Sequence, residues 1–288
     1  MTKEAAKTST DPTFMVAIEQ SFPEDQRIIT DKMAYPILPL QNRLMVRLFN
    51  NKFIRHWLIS TSETNTPGIW SGMMLRKLYI NEKLDNLDGE IEEIVDIGAG
   101  YDTRSYTLPS IKHIPIWEID QEKIIQSKEK QVKTILETIP SNVKLVPTDL
   151  DHENIAQTLK KYGYSDKFPT FFICEAVTQY LDEDSIKNLF KFLSTAPSGS
   201  KIVFTYILQE FMESVKLYDM GKLYKKYVFP KIWKFGIYTQ DVPAFLEEYG
   251  WKLIEDVSAD DIYDKYIKIK GRDLTTNKIE RIIYAEKI

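Results

Sequence analysis

Short apolar runs and longer amphipathic stretches alternate through the middle of this chain. Residues 94–97, 114–120, 143–146, 171–174 and 201–207 are rich in β-branched and aromatic side chains, as buried parallel strands require. Between them the apolar positions switch to helical spacing. Residues 121–139 carry Ile124, Val132, Ile135 and Ile139 on one face. Residues 182–193 carry Ile186, Leu189, Phe190 and Leu193 behind an acidic start, which suits the positive end of a helix. Residues 155–162 form a shorter helix closed by Gly163. This alternation predicts an α/β fold with a doubly wound, mostly parallel sheet.

The flanks follow other patterns. Before the first strand, Phe14, Ile18 and Phe22 recur at helical spacing behind Asp11-Pro12. Apolar stripes at 31–40 and 44–59, a turn-rich loop at 61–68 and a helix over 69–84 complete a helical N-terminal extension, 1–90. A core over 91–205 leads to a lid-like insert, 206–240. A C-terminal region, 241–288, then supplies a helix with Val242, Phe245, Leu246 and Tyr249, stopped by Gly250. Strands follow at 251–257 and 279–287 with no helix expected between them, and such a pair is best joined antiparallel. The whole is read as one domain with seven strands.

Composition narrows the class. Hydrophobic residues are 43% and charged residues 28%, ordinary for a globular protein. The net charge of −4 supplies no global field for nucleic acid or an anionic membrane, so neither is an expected partner. Cys174 is the only cysteine, so no disulfide forms within the chain. Residues 1–10 are polar without the apolar core of a leader, and a cytoplasmic location is expected. Oligomeric state is not readable from the pattern.

The chemistry gathers where the first strand meets Gly98-Ala99-Gly100-Tyr101-Asp102-Thr103-Arg104. A dinucleotide fingerprint would carry a third glycine and hold a pyrophosphate at the helix start. Here Thr103 follows Asp102, and Asp96 adds a second carboxylate at the strand end. Such charges disfavour a phosphate and suit a ligand with a sulfonium and an ammonium, S-adenosylmethionine (SAM). An NAD(P)-dependent oxidoreductase and a non-catalytic SAM-binding protein are the competing readings. No ligand spacing points to a metal. A tRNA or DNA methyltransferase is a lesser alternative, since the net charge is acidic and no RNA-binding motif is present; the fourth strand also ends Glu175-Ala176-Val177-Thr178, without the Asn-Pro-Pro-Tyr type of motif of amino-group methyltransferases.

These stretches together resemble the leucine carboxyl methyltransferase family, which includes polyketide O-methyltransferases. The matching pieces are Val95 to Arg104, Trp117-Glu-Ile-Asp-Gln121, Val146-Pro-Thr-Asp-Leu150, Phe171 to Leu181, Pro197-Ser-Gly-Ser200 and Glu248-Tyr-Gly-Trp251. The resemblance implies the class I SAM methyltransferase sheet, Rossmann-like, with an antiparallel C-terminal strand. It sets Gly98 and Gly100 against the methionine part of the cofactor. Asp120, or Glu118 beside it, would accept from the ribose hydroxyls. Asp149 and Leu150 would meet the adenine, Glu175 the methionine moiety or sulfonium, and Arg76 the cofactor carboxylate. It also implies O-methylation of a small molecule, at a carboxylate or a hydroxyl.

A carboxylate acceptor needs no general base, whereas a hydroxyl does. His152, close behind Asp149, is the one weak candidate base. Substrate contacts are expected from Tyr180 and, within the insert, from Tyr206, Tyr224 and Tyr227. Aromatic residues and lysines interleave there as an apolar pocket with a basic rim would need.

Overall fold

The protein is described by a computed structural model covering residues 8–87 and 89–288. The reading of residues 1–10 falls largely outside them. One sheet organises the rest. Its strands are β1 Glu93–Ile97, β2 Ile116–Asp120, β3 Val143–Pro147, β4 Thr170–Cys174, β5 Lys201–Ile207, β6 Trp251–Ser258 and β7 Glu280–Lys287. Their order is β3-β2-β1-β4-β5-β7-β6. The first five are mutually parallel, and β7 lies antiparallel between β5 and β6. The order reverses between β1 and β4, and ligands of open α/β sheets bind in the crevice at such a reversal.

Alternation along the strands separates two cores. Val95, Ile97, Trp117, Ile119, Phe172 and Phe204 face α7 (Glu183–Leu193) and α8 (Val242–Glu248). Ile94, Ile116, Phe171, Ile173 and Ile282 face the N-terminal helices. These are α1 Asp11–Glu19, α2 Leu40–Leu48, α3 Lys52–Asn65 and α4 Ile69–Asp85. The amphipathic helices α5 (Glu122–Leu136) and α6 (Ile155–Lys161) complete the cover.

Four flanking expectations are corrected. Residues 31–40 form successive turns rather than a helix: the Asp31 carboxylate accepts from the N–H of Met33 and Ala34, and Pro36 and Pro39 interrupt any helical ladder. The stripe at 44–59 is two helices, because the Asn51 side chain caps a new start by accepting from Phe53 and Ile54. The loop expected at 61–68 is mostly the end of α3. Thr64 and Asn65 donate back to the carbonyls of Ser60 and Thr61, so polar side chains ride the helix. Between β6 and β7, where no helix was expected, α9 spans Ala259–Tyr266. Ser258 and Asp261 form its capping box, and Ala259, Ile262, Tyr263 and Tyr266 keep helical spacing, so the signal was in the sequence.

One ion pair lies wholly inside this scaffold. Lys128 on α5 reaches 2.7 Å to Glu118 on β2, and both side chains are fully buried. The Tyr106 hydroxyl donates to the same Glu118 oxygen at 2.9 Å. Removing one partner strands a charge in low dielectric. Lys128→Ala should therefore cost about 3–5 kcal/mol. The double change Glu118→Leu, Lys128→Met should recover most of it. Urea unfolding of the three proteins checks this; equal destabilisation by both variants would contradict it.

Candidate functional site: a charged cleft above the strand reversal

The cleft begins at the glycine turn after β1. Gly98 and Gly100 both hold positive φ, +72° and +46°. A side chain at Gly98 would place its Cβ 2.4 Å from Val177 Cγ2, so only glycine fits. The turn is held from two sides. The Asp120 carboxylate, at the end of β2, accepts from Gly100 N–H at 2.8 Å and from Gln121 N–H at 2.6 Å. Thr13 of α1 donates to the Tyr101 carbonyl at 2.9 Å. Just after β4, Ala176 takes a left-handed φ of 57°, held by its N–H bonding to Thr205 Oγ1. Strain of this kind in a non-glycine residue gathers at functional sites.

Strand alternation aims a row of acids at one face. Asp96 on β1, Glu118 on β2 and Glu280 on β7 share the face of Ile94, Ile116 and Ile282, and Glu175 follows β4 on the face of Ile173. That face lies under α4, which carries Arg76 and Lys77. Arg76 Nε donates to Glu175 at 2.9 Å, and its Nη1 donates to both Glu280 oxygens at 3.0 and 3.1 Å. Lys77 is 3.1 Å from Asp102 and 3.6 Å from Glu175. Arg104 binds Asp102 and reaches Glu175 at 2.6 Å. Burial by itself would raise the Glu175 carboxyl, but Lys77, Arg104 and Arg76 hold it far below the usual carboxylate range. Asp102 is likewise lowered, with burial opposed by Arg104 and Lys77. Asp96 goes the other way: burial, then the nearby Asp102, push it well up. Asp96 accepts no side-chain hydrogen bond among the described residues.

Above these groups opens a cavity of about 630 Å³. Arg76, Asp96, Gly98, Gly100, Asp102, Asp120 and Glu175 line it, as do Tyr180 and Tyr227. The other expected residues do not. Glu118 shares the face of Asp120 but sits two residues deeper, where Lys128 and Tyr106 consume it. Asp149 and Leu150 lie after β3 outside the cavity wall. Leu150 is core, and Asp149 binds the His152 ring at 2.9 Å. His152 is 78% exposed at its side chain and has no access to the cleft. Tyr206 is fully buried, and its hydroxyl donates to Asp256 at 2.9 Å. Tyr224 packs edge-on against Phe211. Asp102 keeps its place in the wall, yet its charge is spent on Arg104 and Lys77 rather than left for a ligand.

The cavity also has walls that the sequence reading missed. Met73 stands one turn and Trp70 nearly two turns before Arg76 on α4, a helical spacing that was there to be read. Asn277 and Glu280 arrive from the far end of the chain. Trp233 stacks on Tyr227 with ring centroids 5.1 Å apart and meets Tyr180 edge-on at 6.4 Å. Among the described residues, no group of three or more His, Cys, Asp or Glu could hold a metal ion.

The depressed Glu175 has a consequence for pH. Its folded value lies below its unfolded value, so its contribution is complete above the ordinary glutamate pKa of about 4.3 and is lost as pH falls below that. The melting temperature of the protein should fall by several degrees more between about pH 5 and pH 3 than that of Glu175→Gln. Parallel melting curves would show that Glu175 is not part of the acid response.

Comparison with known proteins identifies the family and the fold. The family model for leucine carboxyl methyltransferase matches residues 9–194. YktD of Bacillus subtilis, named for SAM-dependent methyltransferase activity, is 26% identical over 270 residues, covering 90% of this chain and 85% of that protein. A Mycobacterium tuberculosis protein named for the same activity is 20% identical over 254 residues, 81% of this chain and 80% of its own. The fold matches a DUF574 family protein from Streptomyces avermitilis at a TM-score of 0.58 and 17% identity, over 94% of this chain and 100% of that one. It also matches a Thermobifida fusca protein described as a methyltransferase, at a TM-score of 0.54 and 12% identity, over 81% of this chain and 87% of that one. The chain therefore belongs to the leucine carboxyl methyltransferase family, and it is a SAM-dependent methyltransferase with SAM as its cofactor.

Proposed function

We propose that the acceptor is a small apolar molecule bearing a carboxylate, and that the product is its methyl ester. The observation that carries this reading is the make-up of the acceptor end of the cavity. It combines Trp70, Met73, Tyr180, Tyr227 and Trp233 with the ammonium groups of Lys222 and Lys226. The Lys226 ammonium is kept charged above the usual lysine range, first by its hydrogen bond with Tyr227. None of the three histidines lines the cavity. An ionised carboxylate needs no proton removed, so a site without a histidine base suits it.

The cofactor end fits SAM by its own donor set. The glycine turn leaves backbone where a side chain would intrude, and the wall sets carboxylates beside guanidinium and ammonium groups. A ligand carrying an ammonium, a sulfonium and a carboxylate is the complement of such a wall. Asp120 has one N–H on each oxygen and keeps a second acceptor direction on each for ribose hydroxyls. Arg76 would meet the cofactor carboxylate from α4, while Asp96 and Glu175 would face its positive groups. SAM supplies a methyl carbon with an activated leaving group. The chain's residues position the acceptor oxygen against it, and such positioning can lower a barrier by about 7–11 kcal/mol.

A hydroxyl acceptor is the second reading, and Asp96 favours it. A buried carboxylate raised by burial and lacking a hydrogen bond from the described side chains has the character of a base.

Two measurements test these assignments. Asp120→Ala should weaken S-adenosylhomocysteine binding at least tenfold in calorimetric titration, since each charged hydrogen bond contributes about 1.5–3 kcal/mol. Lys226→Met should leave that affinity within twofold and raise the KM for a carboxylic acid acceptor tenfold or more. An unchanged KM sinks the role of Lys226. The rate at subsaturating acceptor should be flat from about pH 6 to 8 for a carboxylate. A steady rise over that range would favour the hydroxyl reading instead.

A further inference from the structure

The helix pair α2 and α3 exposes apolar side chains that nothing in the chain covers. On α2, Leu40, Leu44, Met45 and Leu48 are each 50–62% exposed. On α3, Phe53 is 74% exposed, Trp57 63% and Ile54 40%. These positions keep helical spacing, so each helix turns one apolar stripe outward. The helices are consecutive, joined by residues 49–51.

Charge says what covers the stripe. Between Asp31 and Glu63 the chain has five Lys or Arg residues and no Asp or Glu, although its overall net charge is −4. Arg47 and Lys52 are exposed beside the apolar residues, and the Lys52 ammonium lies 5.2 Å from the Phe53 ring centroid. A second copy docked face to face would set these cations against themselves, which is unfavourable. An outward stripe of leucine and methionine on α2 and of phenylalanine and tryptophan on α3, with arginine and lysine beside them, is the make-up of helices lying in an anionic lipid interface. Among the described residues no helix is long and apolar enough to cross a membrane, so contact would be at the surface.

We propose that α2 and α3 dock this protein on an anionic lipid bilayer. The same helix also belongs to the cleft. Leu58, Thr61, Ser62 and Asn65, on the C-terminal half of α3, line the cavity, and Lys222 of the insert donates to Asn65 at 2.8 Å across it. Docking through the first half of α3 sets the cavity beside the bilayer surface, where an apolar acceptor would be concentrated. The net charge of the whole chain conceals this local field.

The test is cosedimentation of the full chain with phosphatidylcholine vesicles, with and without phosphatidylglycerol. Binding is expected only to the anionic vesicles and should weaken as salt rises. Lys52→Gln and Arg47→Gln should each reduce it about fivefold, the effect of one cation near such a surface. The pair Phe53→Asp, Trp57→Asp should abolish it while S-adenosylhomocysteine binding is retained, which also reports folding. No binding to anionic vesicles, or equal binding to both kinds, overturns the proposal. So does a stable dimer by sedimentation that Trp57→Asp dissociates, which would make the face a contact between copies.

Discussion

The architecture depends on a buried exchange of charge between one helix and the ends of the strands. Arg76 and Lys77 project from α4 into a face that receives Glu175 and Glu280, while Arg104 and Asp102 enter from the turn after β1. A charge taken out of water is costly, and no single pair would repay that cost. The arrangement holds because each group has more than one partner. Glu175 touches three cations and Arg76 two carboxylates. Pieces of chain as far apart as α4 and β7 are thus tied at one point, with Arg76 and Glu280 204 residues apart.

The same exchange shapes the cleft. The paired acids and cations form a floor whose charges are largely balanced. Asp96 and Asp120 stand out from it: both are buried, both are raised by that burial, and neither forms an ion pair with a Lys or Arg among the described residues. A floor of this kind has little attraction for a pyrophosphate, and a zwitterion with an added positive centre suits it. Of the two carboxylates that the sequence sets at the turn, Asp96 and Asp102, only Asp96 is left without a cationic partner among the described residues. The acid that rejects phosphate is not Asp102 but the set as a whole, since Asp102 is neutralised by Lys77 and Arg104.

The stacked aromatic pair Tyr227 and Trp233 forms another wall of the same cavity. These residues come from the insert after β5, whose lysines reach back to the N-terminal helices. On the proposed assignment, the acceptor and cofactor ends are built by different parts of the chain. One rests on the strand ends, which the sheet holds rigidly. The other rests on the insert and on α3, and α3 also carries the exposed apolar stripe.

The sequence by itself determined the sheet, the glycine turn and most of the strand-end acids. Those follow from short-range rules: β-branched runs make strands, alternation sets faces, and positive φ calls for glycine. The capping box of α9 and the Asn51 cap obey rules just as local, and were legible though unread. What only the tertiary structure decided was which acid a neighbour had already claimed. Glu118 and Asp120 look alike in sequence, but Lys128 folds over the first and leaves the second at the rim. Tyr224 and Tyr227 are three residues apart, yet one packs on Phe211 and the other lines the cavity. His152 follows a strand-end acid and still faces solvent. Depth below a surface and partners across hundreds of residues are properties of packing, and spacing along the chain does not encode them.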